Sequence, residues 1–106
     1  HLQEAESLIK RAVAEKPDNG YILDSLGWVY YREGKYDQAL EALRKAVGQT
    51  EDDSVVLEHL GDVYEKLGKP DQAVEAWQKA LKADDKEEGQ QERVQKKIDA
   101  IRLKTK

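Results

Sequence analysis

The sequence has no cysteine and no methionine, and it holds only two prolines in 106 residues. Without cysteine, the chain has no disulfide, thiolate metal site or cysteine nucleophile. The absence of cysteine is compatible with either a reducing or an oxidising compartment. No apolar run approaches the ~18 residues of a membrane-spanning helix, so direct membrane insertion is not expected. Because the chain opens at His1 without a methionine, we expect a segment of a longer protein that extends upstream and ends near Lys106.

Charge and motif content exclude further classes of function. The formal net charge is −4 at pH 7, whereas nucleic-acid binding needs a basic face, so no nucleic-acid partner is expected. No G-x-S-x-G motif and no phosphate-binding glycine loop is present. The serines Ser7, Ser25 and Ser54 have no histidine with an evident orienting partner. We therefore expect no enzyme activity and no cofactor.

One stretch of the chain occurs twice. Residues 26–40 read LGWVYYREGKYDQAL, and residues 60–74 read LGDVYEKLGKPDQAV, 34 residues later. When residues 20–53 are laid over residues 54–87 without a gap, 14 positions are identical. A fixed period of this length is typical of solenoids, in which each unit buries its apolar face only by stacking on its neighbours.

The apolar spacing within each repeat predicts two helices. The apolar and small positions of the first repeat follow a helical course at Leu23, Leu26, Gly27 and Tyr30, and again at Ala39, Leu43, Ala46 and Val47. Gly34 and Gly68 are suited to end the first helix in a left-handed conformation, and Pro70 suits the first turn of the next helix. Because the turn is short, we expect antiparallel packing, with Gly27 allowing a close approach.

This pattern, L-G-x2-Y followed by A-x3-(large apolar)-x2-A at a period of 34, resembles the tetratricopeptide repeat. Leu23 and Leu57 stand at the tryptophan position of the family pattern, and Leu43 and Trp77 stand at its phenylalanine position. The proline position is filled by Glu51 and Asp85, which predicts a looser turn between units. The resemblance implies an all-α fold, a right-handed superhelical solenoid of antiparallel helix pairs with about six helices.

We expect one tetratricopeptide domain over residues 1–106. Its predicted parts are residues 1–19 as the second helix of a truncated repeat, 20–53 and 54–87 as full repeats, and 88–106 as a C-terminal capping helix. The missing first helix is expected to leave an apolar stripe uncovered at Leu2, Ala5, Leu8, Ile9 and Ala12. The amino-acid sequence of residues 24–40 is similar to repeats near the C-terminus of bacterial envelope and lipoprotein tetratricopeptide proteins. The sequence is compatible with a location in the bacterial periplasm or envelope and with one in the cytoplasm.

In this family, first-helix residues on the concave side line the ligand groove. The corresponding positions are Tyr21, Asp24, Ser25, Trp28, Tyr31 and Arg32 in the first full repeat, and Val55, Glu58, His59, Asp62, Glu65 and Lys66 in the second. We expect Trp28 and Tyr31 to anchor a peptide or partner helix, since aromatic side chains are the usual anchors. The carboxylates Asp24, Glu58 and Asp62 are expected to favour a basic residue beside an apolar one. Chaperone-binding members of the family carry lysine, asparagine and arginine at these positions and use them to hold a terminal carboxylate. Because this chain has acidic residues there, no carboxylate clamp is expected.

Two alternatives to this groove stay open. Trp28 and Tyr31 can be covered by a neighbouring helix or a second copy, and the chain is then a structural or self-associating segment with its partner site elsewhere. In that case the stripe around Ile9 is expected to drive dimerisation. Asp62 and Glu65 can equally be a solvated helix face.

Two further clusters favour structural interpretations. Glu58, His59 and Asp62 lie within one helical turn, but the usual helical metal motif has two histidines, so no metal site is expected. The last helix is basic, with Arg93, Lys96, Lys97, Arg102, Lys104 and Lys106 against Glu92 and Asp99. It carries no interleaved aromatics and no long apolar face, so we expect a solubilising cap whose cations suit the negative end of the helix.

Overall fold

The computed structural model describes residues 1–104. Within this range it contains six α-helices and no strand: α1 (Leu2–Glu15), α2 (Gly20–Arg32), α3 (Tyr36–Gln49), α4 (Ser54–Lys66), α5 (Pro70–Lys82) and α6 (Gln90–Lys104). The all-α solenoid of antiparallel helix pairs predicted from the sequence is confirmed. Lys106, counted among the basic residues of the last helix, lies outside the described range. None of the helices of residues 1–104 is long and apolar enough to cross a membrane.

The two full helix pairs, α2 with α3 and α4 with α5, turn in the same way. Gly34 and Gly68 have φ angles of +78° and +74°. The N–H of Lys35 donates to the carbonyl of Tyr30 at 2.8 Å, and the equivalent bond in the second pair measures 2.9 Å. This is the Schellman arrangement, which satisfies carbonyl groups at the end of a helix and reverses the chain. The predicted role of both glycines is confirmed.

Within each pair, a glycine of the first helix lets the second helix approach closely. A Cβ atom added to Gly27 would lie 2.6 Å from Cγ of Leu43, and one added to Gly61 would lie 2.3 Å from Nε1 of Trp77. The alanines beside this contact, Ala39, Ala46, Ala73 and Ala80, are fully buried. Burial of each large apolar side chain contributes roughly 1.5–3 kcal/mol, which exceeds the ~1 kcal/mol that a mid-helix glycine costs.

The turn between the two pairs contains two non-glycine residues in the left-handed region. Glu51 and Asp52 have φ angles of +54° and +62°. Proline fixes φ near −65°, so Glu51 holds a conformation that the proline of the family pattern cannot adopt. The N–H of Asp52 donates to the carbonyl of Val47 at 3.1 Å, and the Asp53 side chain then caps α4 by accepting from the N–H of Val55 at 2.9 Å. The turn predicted to be loose is hydrogen-bonded.

The terminal helices differ in how deeply they pack. The apolar side chains Val94, Ile98 and Ile101 of α6 are buried in a cluster with Ala73 and Trp77 of α5. In contrast, α1 contributes no buried residue. It rests on α2, and its Glu6 carboxylate accepts a 3.0 Å hydrogen bond from Lys35 at the turn between α2 and α3. The C-terminal helix is therefore packed through buried apolar side chains, whereas the N-terminal helix packs through partly buried ones such as Val13.

Candidate functional site

The predicted site residues lie on α2 and α4, the first helices of the two pairs. Asn19 caps α2 by accepting from the N–H groups of Tyr21 and Ile22 at 3.0 and 3.2 Å. The Asp53 cap does the same for α4. These caps satisfy N–H groups that an α-helix leaves without an internal partner. The two helices are thereby started at equivalent points, and they run side by side.

Three rings from these helices form a stack, which we name the aromatic column: His59, Trp28 and Tyr31. The Trp28 ring stacks on Tyr31 with centroids 4.7 Å apart and an interplanar angle of 14°. It also stacks on His59, with centroids 4.2 Å apart and an angle of 26°. Tyr36 of α3 meets Tyr31 edge-on at 5.7 Å. Each aromatic pair of this kind contributes about 0.5–1.5 kcal/mol beyond the area that it buries.

The stacking determines which part of Trp28 is accessible. Tyr31 and His59 each stack on the Trp28 ring, and all three residues of the column are half-buried. Aromatic rings carry partial negative charge on their faces and partial positive charge at their edges. The ring surfaces used in these stacks are therefore occupied, and the ring edges suit apolar groups and oxygen atoms better than cations.

The His59 ring is held in place by Asp24. Nδ1 of His59 lies 2.8 Å from Oδ1 of Asp24, and both side chains are half-buried between α2 and α4. An ionised carboxylate only accepts hydrogen bonds, so Nδ1 is the donor. In the neutral ring, Nε2 is then left as an acceptor. The structure thus brings together four of the predicted site residues: Asp24, Trp28, Tyr31 and His59.

Glu58 and Asp62 are drawn away from solvent by α6. Glu58 is only 4% exposed and Asp62 only 8%. Arg93 donates to both Glu58 carboxylate oxygens at 2.8 Å, and Lys97 donates to Glu58 at 2.7 Å and to Asp62 at 2.9 Å. The interpretation of Asp62 as part of a solvated helix face is wrong, because α6 and Trp77 enclose its carboxylate. Glu65, assigned to the same face, is half-buried.

These contacts shift the two carboxyl groups in opposite directions. Burial by itself raises the pKa of Glu58, but hydrogen bonds from Arg93 and Lys97 outweigh it and lower the pKa to about 2. For Asp62, burial outweighs the hydrogen bond from Lys97, and the pKa is raised above its ordinary value. Burial also raises the pKa of Tyr31, with Asp62 close enough to add to the shift. Glu58 is therefore the carboxylate that fastens α6 to α4.

The remaining predicted residues lie around the column and take no part in it. Tyr21 is exposed at the start of α2, and Ser25 donates to its carbonyl at 3.1 Å. Arg32 and Lys66 are exposed at the ends of α2 and α4, and Val55 is half-buried at the start of α4. None of these five side chains is held in the hydrogen-bonded and stacked network of Asp24, His59 and Trp28.

Sequence reasoning missed the partners on α6 and α3. Arg93 and Lys97 were assigned to a solubilising cap, whereas the structure places them in ion pairs with α4. Gln90 is fully buried, donates to Glu58 at 3.3 Å and accepts from the hydroxyl of Ser54 at 3.1 Å. Tyr36 was not considered at all. The repeat pattern held a signal for the ion pairs, since first helices one period apart pack side by side.

No metal site forms from the cluster of Glu58, His59 and Asp62. His59 binds Asp24, whereas the two carboxylates bind cations of α6. Over residues 1–104, no three histidine, aspartate or glutamate side chains gather in a way that could hold a metal ion.

Comparison with known families decides the assignment of the fold. The family model described as a tetratricopeptide repeat-like domain matches residues 1–103. The chain belongs to the tetratricopeptide repeat family. No curated protein matches the chain at a significant level.

Solved structures of other tetratricopeptide proteins share the fold at low sequence identity. The Yersinia enterocolitica type III secretion chaperone SycD, in complex with a peptide of the translocator YopD, is similar at a TM-score of 0.88 and 17% identity, over 99% of this chain and 82% of that one. The first tetratricopeptide domain of Spaghetti (RPAP3), bound to the HSP90 peptide SRMEEVD, is similar at a TM-score of 0.87 and 15% identity, over 98% of this chain and 79% of that one. The thermophilic protein TTC0263 of Thermus thermophilus is similar at 0.81 and 25% identity, over 96% of this chain and 50% of that protein.

Proposed function

We propose that this chain is a non-catalytic protein-interaction module of a larger tetratricopeptide scaffold. Its concave face, lined by α2 and α4, would hold a peptide segment or a partner helix. The observation that carries the proposal is the aromatic column, in which three half-buried rings from two first helices form one preorganised surface. Two tetratricopeptide proteins of the same fold hold peptides, from YopD and from HSP90, which supports a peptide ligand.

The apolar part of the partner would contact the edges of the column. Tyr21 and Val55, which lie at equivalent positions of α2 and α4, extend this surface towards the start of both helices. Because the rings are fixed by stacking and by the Asp24 hydrogen bond, they lose little conformational freedom on binding. A single apolar side chain set against Trp28 and Tyr31 is then the anchor of the complex.

The basic part of the partner would be placed by the carboxylates that are still accessible. Glu58 and Asp62 are already paired with Arg93 and Lys97, so their proposed role is to hold α6 and so to fix the C-terminal wall of the surface. Glu65, half-buried one turn after Asp62, remains to attract a cation, and Asp24 adds negative charge beside the column.

A display selection tests this function. A library of short random peptides is selected on the wild-type chain and on a Trp28→Ala, Tyr31→Ala double variant, with circular dichroism showing that both are folded. The matched control is Leu103→Ala, which removes an exposed apolar side chain from α6. We expect peptides with an apolar residue next to a basic one to be enriched on the wild-type and control chains and lost on the double variant. Enrichment of the same peptides on all three chains would overturn the proposal.

One observation favours the alternative of a self-associating structural segment. Leu2 and Leu8 of α1 are 37% and 62% exposed, and both belong to the apolar stripe that is predicted to drive dimerisation. Sedimentation of the wild-type chain and of an Ile9→Glu variant separates the two functions. A dimer that becomes a monomer on substitution supports the alternative, whereas two monomers leave the concave surface as the site.

A further inference from the structure

Three carboxylates that were predicted to select a basic residue are already bonded within the chain. Glu58 accepts from Arg93 and Lys97, and Asp62 accepts from Lys97 at 2.9 Å. Asp24 lies 2.8 Å from Nδ1 of His59 and accepts its hydrogen. The question is therefore which acceptor beside the aromatic column is left for a cation of the partner.

Nε2 of His59 is such an acceptor. Over residues 1–104, the one buried side-chain nitrogen or oxygen without a hydrogen-bond partner is Oε1 of Glu33. Nε2 of His59, for which the structure records no partner in this range, is therefore accessible to solvent. A carboxylate that accepts from one ring nitrogen of a histidine strengthens the other as a ligand. Asp24 thus acts on the exposed side of the ring through His59.

The position of the ring sets this acceptor beside the proposed apolar anchor. The His59 ring stacks on Trp28 with centroids 4.2 Å apart, and its side chain is 20% exposed. A group that reaches Nε2 consequently lies next to the column. Because the stack and the Asp24 hydrogen bond both fix the ring, little conformational freedom is lost when a donor binds there.

We propose that Nε2 of neutral His59 accepts a hydrogen bond from the lysine or arginine of the bound partner, and that binding therefore weakens in acid. The inference rests on the proposed function of the concave surface and names the residue that selects its basic ligand. Lysine and arginine side chains donate hydrogen bonds and accept none. A protonated His59 is itself a donor at Nε2 and carries a positive charge, so it repels the same group. Histidine is the side chain that ordinarily changes charge between pH 5 and 8.

The other titratable and charged groups around the column come from three helices: Asp24 and Tyr31 of α2, Glu58 and Asp62 of α4, and Arg93 and Lys97 of α6. Burial raises the pKa of Asp62, and a positive charge on His59 lowers it, so these two groups influence each other. Burial also raises the pKa of the Tyr31 hydroxyl, which stays neutral in acid. Because Asp62 can contribute to a pH dependence, the test must remove His59 alone.

The probe is a labelled peptide with an apolar residue next to a lysine, selected on the wild-type chain as described above. Its Kd is measured by fluorescence anisotropy at about pH 8 and about pH 5, in about 0.5 M salt, which screens charges that are not in contact. His59→Phe keeps a ring that can stack on Trp28 but has no acceptor and no charge, and His59→Gln is a second variant without a titrating group. The matched control is His1→Gln, which removes the other of the two histidines. Circular dichroism at both pH values shows that each chain is folded.

We expect the Kd of the wild type to rise at least about tenfold between the higher and the lower pH, as for the loss of a hydrogen bond to a charged group. His1→Gln should show the same rise. In His59→Phe and His59→Gln, which bind more weakly at the higher pH, the Kd should change less than about twofold. The same small change is expected for the wild-type chain with a peptide that carries norleucine in place of lysine, because norleucine has no N–H group to donate.

The proposal is overturned if the wild-type Kd is equal at both pH values, or if His59→Phe and His59→Gln keep the wild-type dependence. It is also overturned if the norleucine peptide shows the full rise, since the partner's cation is then not what His59 contacts. In these cases the concave site itself still stands, provided that the Trp28→Ala, Tyr31→Ala variant loses the peptide. Failure to select any peptide, or equal binding by that double variant, overturns the proposed function and this inference together.

Discussion

Asp24 accepts a 2.8 Å hydrogen bond from His59, a residue that lies one repeat and one position further along the chain. The same register joins Glu58 to Arg93, again at 2.8 Å. In both cases, a carboxylate on one first helix holds a nitrogen donor on the next first helix. The carboxylates at this position of the repeat therefore bind neighbouring units together.

Removal of the Glu58 carboxylate is expected to destabilise the fold strongly. Glu58→Ala removes the buried carboxylate that Arg93 and Lys97 share, while Arg93 keeps Glu87 and Lys97 keeps Asp62. Loss of hydrogen bonds to a charged group of this kind costs about 1.5–3 kcal/mol. Urea unfolding followed by circular dichroism measures the change. Glu41→Ala is the matched control, because Glu41 forms an exposed ion pair with Lys45 at 3.7 Å and should leave the urea midpoint nearly unchanged. Equal effects of the two variants would show that the contact with α6 contributes little.

Acid should weaken the chain through the same carboxylate. The pKa of Glu58 is lowered from 4.5 to about 2, so its contribution is complete above pH 4.5 and is lost as the pH falls towards 2. The shift corresponds to at most about 3 kcal/mol. Asp62 acts in the opposite sense, because burial raises its pKa and protonation then favours the folded chain.

The effect of Glu58 is isolated by comparing the wild type with Glu58→Gln. We expect the free energy of unfolding to fall less steeply between pH 4.5 and pH 2 in the variant, because it has no carboxyl group to titrate at this position. Urea titrations at closely spaced pH values give the two slopes. Parallel slopes would mean that Glu58 titrates as an ordinary exposed carboxyl group.

The glycines of the helices should respond differently to the same substitution. Gly61→Ala sets a Cβ atom 2.3 Å from Nε1 of the fully buried Trp77, and overpacking of this kind typically costs about 1–3 kcal/mol. Gly48 of α3 has no atom within 4 Å of an added Cβ, so Gly48→Ala should raise the free energy of unfolding by up to ~1 kcal/mol. Thermal unfolding of both variants gives the comparison. A neutral Gly61→Ala would contradict the close packing of α4 on α5.

The hydrogen bond between Asp24 and His59 predicts the tautomer of the histidine. In the neutral ring, the proton should be on Nδ1, whereas Asp24→Ala should give a mixture of tautomers while the chain stays folded. Long-range ¹H–¹⁵N correlation spectra of the wild type and the variant distinguish the two ring nitrogens. A neutral wild-type ring protonated on Nε2 would exclude the hydrogen bond as described.

The helices and their pairing could be predicted because both repeats carry the same residues at the helix-contact and turn positions. Gly27 with Gly61 and Gly34 with Gly68 mark a close contact and a left-handed turn at the same two places in each unit. Each of these features depends on residues within one repeat. Local spacing was therefore sufficient to predict them.

The character of the site depends on contacts between repeats, which spacing within a repeat does not show. An aspartate or glutamate on a helix face has the same sequence signature whether it meets water or a cation of the next unit. The alternative interpretation of Asp62 as part of a solvated face was wrong for this reason, because α6 buries it. The stacking of His59 on Trp28 likewise joins two first helices, and it needs the geometry of the superhelix to be seen.

The most direct test of the proposed concave site uses Trp28 as a reporter. Trp77→Phe places the phenylalanine of the family pattern in the core and leaves Trp28 as the sole tryptophan, since the chain has two. A display-selected peptide is titrated into this variant while Trp28 emission and peptide anisotropy are recorded together. The proposal predicts one saturable change with the same Kd in both signals, weakened roughly thirtyfold or more by Tyr31→Ala, as expected at a binding hot spot. Binding seen by anisotropy without any change in Trp28 emission, and unaffected by Tyr31→Ala, would contradict it.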